Sequence, residues 1–121
     1  MLKFELIRDT GVLVVEPRDA LTAEDFQAIS QTVDPFIREN GKLTGLLIDA
    51  PSFPGWESFG ALIGHIRFIR DHHRKIDRVA AVTDSTILTI APKIAEHFAH
   101  PVFKVFRSGE RASALDWLES A

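Results

Sequence analysis

The chain opens on two short apolar-rich runs, "KFELIRD" and "GVLVVEPR", separated by Thr10-Gly11. Two strand-length runs around a glycine turn predict an antiparallel hairpin. From Leu21 the period changes. Phe26, Ile29, Val33, Phe36 and Ile37 recur at three- and four-residue spacing, which predicts one face of a helix, and Thr22 with Asp25 three positions later has the form of a capping box. This helix is expected to stop near Asn40-Gly41, with Pro35 kinking it or ending it early because proline removes a helical hydrogen bond.

"LTGLLIDA" then predicts a buried strand, and "PSFPG" breaks regular structure before a second helix that starts near Trp56. After it come a strand "RVAAVTD", a helical stretch "STILTIAPKIAEHFAH", a strand "VFKVFR" and a helix "ERASALDWLES". The order β-β-α-β-α-β-α-β-α predicts one α/β domain over residues 1–121, with a mainly parallel mixed sheet of about five strands, about four helices and an opening hairpin. In open parallel sheets ligands lie beyond the carboxyl ends of the strands. Asp49 and Asp84 mark two of those ends, so the loops after them should share one mouth. Phe53, Trp56 and Phe59 are expected to face Ile87, Leu88 and Ile90 across it, and the uncharged run from Ser85 to Pro92 has the composition of a buried helix or a lid.

In the second helix, Phe59, Leu62, Ile63, Ile66, Ile69 and His73 fall on the expected core face, with Ala61, His65, Phe68 and His72 in a half-exposed stripe beside it. His65 and His72 stand two turns apart, about 10 Å along the axis, too far to share one metal ion. His73 points elsewhere and no HExxH pattern occurs, so no metal site is expected. The stripe is instead a candidate contact for a partner or for a second copy of the chain, forming a homodimer.

Charge sharpens this. The net charge of the 121 residues is −3, yet residues 65–78 hold five cations (Arg67, Arg70, Arg74, Lys75, Arg78) against Asp71 and Asp77. That segment is +3 and the remainder −6. An acidic total argues against nucleic-acid binding, while a local basic row formed by Arg67, Arg70, Arg74 and Lys75, with His65, Phe68 and His72 beside it, suits an anionic membrane surface or an acidic partner. The absence of cysteine and tyrosine removes thiolate chemistry and thins the repertoire of acids and bases. No G-x-S-x-G elbow, P-loop or G-x-G-x-x-G follows a strand, so neither catalysis nor a cofactor is expected. The start has no secretory signature and no run is long enough to span a bilayer, which predicts a cytoplasmic protein, peripheral to the membrane at most.

The stretch "LLIDAPSFPGWESFGALIGHIRFIRDHHRKIDRVAAVTD", the later "HPVFKVF" and "ALDWL" resemble the SpoIIAA-like family of small bacterial proteins. The resemblance is carried by Trp56, the helix ending in His72-His73, the strand from Arg78 to Thr83, Phe106 and Trp117-Leu118. That family looks like STAS domains, the anti-sigma-factor antagonists, and shares architecture with CRAL-TRIO domains, which carry lipids in an apolar pocket under a mobile helix. Phospho-regulated STAS antagonists have an Asp-Ser-Ser-Gly type motif at the start of the helix after the central strand. Gly55-Trp56-Glu57-Ser58-Phe59 occupies that region here, with one serine and no following glycine. The resemblance therefore implies a non-enzymatic binding protein for a small apolar or amphipathic, lipid-like ligand, or alternatively a STAS-like regulatory interaction module without the phosphoserine switch.

Overall fold

The structure, a computed structural model, describes residues 2–51, 59–84 and 102–120, without the side chains of Phe59, Leu62, Ile63, Ile66 and His73. Five strands form one sheet: β1 (Lys3–Ile7), β2 (Val12–Glu16), β3 (Leu43–Asp49), β4 (Ile76–Val82) and β5 (Val102–Phe106). Their spatial order is their chain order. β1 and β2 make the antiparallel hairpin, with Ile7 opposite Val12 and Gly11 at φ +74° closing the turn. β2 to β5 all run parallel. The helices are α1 (Ala23–Asn40), α2 (Phe59–His72), continued by a 3-10 turn over His73–Lys75, and α3 (Arg111–Glu119). The helix expected over "STILTIAPKIAEHFAH" lies outside the described residues.

The strand β2 is apolar on both faces because both are covered. In β2, Val12, Leu13, Val14 and Val15 are 0, 1, 4 and 7% exposed, so the strand reads as a continuous apolar run rather than an alternation. Leu13 and Val15 join Phe26, Ile29, Val33 and Val79 in the core under α1. Val12 and Val14 join Leu47, Ala80, Val82, Ala114 and Leu118 in a second core under α3. Each fully buried Val or Leu contributes about 1.5–3 kcal/mol. The sheet thus separates an α1–α2 layer from an α3 layer.

Local signals set the boundaries of α1. The Thr22 hydroxyl accepts the Asp25 N–H at 3.1 Å, and the Asp25 carboxylate accepts the Thr22 N–H at 2.9 Å and the Leu2 N–H at 3.1 Å. Burial alone would raise the Asp25 carboxyl. The backbone N–H groups of Thr22 and Leu2 outweigh it and hold the carboxyl below its ordinary range. At the other end Gly41, at φ +86°, donates its N–H to the Ile37 carbonyl at 2.6 Å, a glycine C-cap. α1 runs through Pro35 to the expected stop at Asn40, so of the two effects expected of the proline an early end does not occur. The carbonyl that proline leaves without a donor belongs to Gln31, and both residues are exposed, so water can satisfy it.

Candidate functional site

The strand ends do gather at one end of the sheet. Asp49 pairs with Val82, the Ala50 N–H donates to the Val82 carbonyl at 3.0 Å, and the Asp84 N–H donates to the Pro51 carbonyl at 3.2 Å. The loops after Asp49 and Asp84 therefore start side by side. Of the residues expected to line their mouth, Phe53, Trp56, Ile87, Leu88 and Ile90 lie outside the described residues. Phe59 opens α2, but its side chain lies outside them too.

The strand-end carboxylates serve the α3 side of the sheet. The Arg111 guanidinium donates to Glu16 Oε1 at 2.6 Å and to Asp49 Oδ2 at 2.7 Å, tying the first turn of α3 to β2 and β3. Arg18 donates to the Asp49 carbonyl at 2.8 Å, and Lys3 stands 3.7 Å from Glu16. The hydrogen bond from Arg111 holds the Glu16 carboxyl below its ordinary value, against the opposing effect of burial, and the same contact raises Arg111. Asp84 accepts the Ser108 N–H at 3.3 Å, which fixes the turn between β5 and α3. These acids hold elements in place, and Arg111 is a residue that spacing gave no reason to single out.

On the opposite face, an apolar cavity of about 100 Å3 lies between the sheet and the α1–α2 layer, at the carboxyl ends of β2 and β3. Val15, Pro17, Ile48 and Ala50 line it from the sheet side, and Phe26 and Phe68 from the helices. The same two rings also line an open groove of about 670 Å3 between α1 and α2, rimmed by Gln27, Ser30 and Gln31 on one helix and Arg67 and Asp71 on the other. Gly60 and Gly64 line the groove where α2 comes close to α1, and a Cβ on Gly64 would meet the Ala23 Cα at 3.7 Å.

The stripe of α2 that carries the histidines is buried at two of its four positions and half-buried at His65 and Phe68. Ala61 is fully buried and His72 is 5% exposed, whereas Ile69, assigned by spacing to the core face, is 51% exposed. Phe68 packs against the core, and His65 stacks on Phe26 with ring centroids 4.7 Å apart. Burial pushes the His65 imidazole below its ordinary value, so the ring is neutral at neutral pH. His72 stacks on Phe68 at 4.1 Å, its Nδ1 is 2.8 Å from the Phe68 carbonyl, and its Nε2 is 2.6 Å from Asp34 Oδ1 on α1. The rotation of α2 is set by α1 as well as by the sheet. Flat aromatic and imidazole rings fill the helix–helix seam, and apolar spacing alone cannot choose between two adjacent stripes. His72 is thus corrected as a surface residue, His65 and Phe68 keep intermediate exposure beside the seam, and Arg67, Arg70, Arg74 and Lys75 are exposed.

Among the described residues no group of three or more His, Asp or Glu side chains is placed to hold a metal ion, and no helix is long and apolar enough to cross a membrane. No curated protein matches the chain. Its fold is similar to the crystal structure of an uncharacterized protein of the DUF3478 family with a SpoIIAA-like fold from Shewanella loihica PV-4. The two share 24% identity and a TM-score of 0.70, over 98% of this chain and 92% of that one. A strictly sequential sheet of one antiparallel and four parallel strands, helices on both faces, and a match over residues 12–119 place this chain in the SpoIIAA-like family, to which it belongs.

Proposed function

We propose that the protein is a non-enzymatic binding domain that takes a small amphipathic ligand in the depression between α1 and α2, apolar end inward. One observation carries this reading: Phe26 and Phe68 line both the apolar cavity and the wider groove, so a turn of these two rings would join an apolar floor to a polar rim. The combined space falls in the range of about 300–1,000 Å3 usual for small-molecule sites. The pairing of Glu16 and Asp49 with Arg111, and of His72 with Asp34, leaves these side chains engaged in structural contacts and supports a non-catalytic role. The test is a screen of four- to eight-carbon amphiphiles by amide NMR on the wild type and on Ala50→Leu, which fills the cavity. Binding should shift the amides of Val15, Ile48 and Phe68 in the wild type and fail in the variant. A screen that moves none of them refutes the reading.

A second reading is favoured by the outer face of α2 and the turn after it, where Arg67, Arg70, Arg74 and Lys75 are exposed around a half-exposed Ile69. A STAS-like interaction module would use this face against an acidic partner, and a homodimer contact on α2 would use it in place of the internal stripe. The same face would dock weakly on an anionic leaflet, at about 1 kcal/mol per cation. Flotation with anionic but not neutral vesicles, fading with salt and lost in the Arg74→Glu, Lys75→Glu double variant, is the expected result. Equal behaviour with both vesicle types removes the membrane role.

A further inference from the structure

We infer that the polar end of the ligand is a monoanionic carboxylate and that Arg67 selects it. This rests on the reading of the α1–α2 depression as a ligand site. The charges around the groove are unevenly satisfied. Asp71 faces Arg70, with Nε 3.1 Å from Oδ1, and that contact holds its carboxyl below the ordinary range. Asp34 lies against His72. The guanidinium of Arg67, four residues before Asp71 and at the spacing that would suit a helical ion pair, has no hydrogen bond or ion pair among the described residues. The groove therefore presents one uncommitted guanidinium.

Across from it, Gln27, Ser30 and Gln31 supply amide and hydroxyl donors from α1. A guanidinium with neutral donors opposite suits a planar, singly charged carboxylate, which accepts a forked pair of hydrogen bonds. A dianionic phosphate would need a second cation where the lining instead offers Asp71. The tail must be short. The apolar cavity beyond Phe26 and Phe68, about 100 Å3, holds only the end of a six-carbon tail, and the rest lies against the two rings in the groove.

The experiment uses three probes with one tail, hexanoate, 1-hexanol and hexylammonium, titrated by amide NMR into the wild-type chain, Arg67→Gln and Arg74→Gln. Arg67 and Arg74 are both exposed, so both variants should fold and lose the same charge. Hexanoate should bind the wild type and Arg74→Gln on the order of tenfold more tightly than hexanol, with hexylammonium weakest. Arg67→Gln should erase the preference and leave hexanol unchanged. Equal affinity for hexanoate and hexanol in the wild type overturns the carboxylate assignment, and a preference that survives Arg67→Gln overturns Arg67 as its selector, while the ligand site stands in both cases. If none of the probes shifts the lining residues, both fall.

Discussion

Gly45 sits in the middle of β3, between Val12 on β2 and Arg78 on β4, under the buried Leu118 of α3. A Cβ at this position would lie 2.8 Å from Leu118 Cδ2, 3.2 Å from its Cγ and 3.0 Å from its Cβ. The Leu118 Cδ2 and Cγ must turn aside within a packed core, and its Cβ, fixed to the helix backbone, must move back with α3 by a few tenths of an ångström, so Gly45→Ala strains both the side chain and the helix. Overpacking of this kind costs about 1–3 kcal/mol, and the narrower unfolded ensemble of alanine returns about 0.4–1 kcal/mol. A net loss of about 1–2 kcal/mol is expected. Leu118→Ala alone should cost about 2–5 kcal/mol, because Leu118 is fully buried. In the double variant the new methyl enters the space vacated by the leucine, and two of the three close contacts vanish. Urea unfolding of the four proteins should give a double-variant loss smaller than the sum of the single losses by about 1 kcal/mol, with an unchanged denaturant slope. Additivity within about 0.3 kcal/mol, or a neutral Gly45→Ala, would refute the packing argument.

Two further predictions concern the acids. Arg111→Met should destabilise by about 1 kcal/mol at neutral pH, since the arginine is 42% exposed and its ion pairs are screened. The Glu16 carboxyl is held low in the fold, so its contribution is complete above the ordinary glutamate value of about 4.3 and is lost as pH falls through the lower folded value. The stability gap between wild type and Arg111→Met should therefore close on acidification, and a gap independent of pH down to about pH 2 counts against the bridge. Asp25→Asn puts an amide where backbone N–H groups converge and should cost about 1–2 kcal/mol, with the Leu2 amide exchanging faster. Unchanged exchange at Leu2 would show that this carboxylate does not anchor the start of β1.

The fold was legible where a signal is local. Leu43–Asp49 and Ile76–Val82 are apolar runs of strand length, and Thr22, Asp25 and Gly41 mark the ends of α1 by chemistry that acts within a few residues. Whether Pro35 would end α1 could not be read, because that depends on whether the Gln31 carbonyl is wet, which is a property of the assembled surface. The face of α2 misled for a related reason: the seam with α1 is filled by His65, Phe68 and His72, and nothing near His72 in the sequence announces Asp34, 38 residues away. The strand ends near Asp49 and Asp84 could be read as neighbours from topology. The cavity, drawn from two strands, two helices and the segments around Leu2 and Leu21, could not.

The sequential strand order has a consequence for synthesis on the ribosome. Each parallel strand pairs with the strand completed just before it, so the sheet can grow from the hairpin in one direction, and no finished strand must wait for a distant partner. The α3 face differs, since Val12, Val14, Leu47 and Val82 are all in place before the helix that covers them has been made. A nascent chain paused after β5 would display that apolar surface along β2, β3 and β4. Chaperone capture and aggregation of such an intermediate should thus concentrate on the α3 side, whereas the α1–α2 layer is assembled strand by strand with its cover.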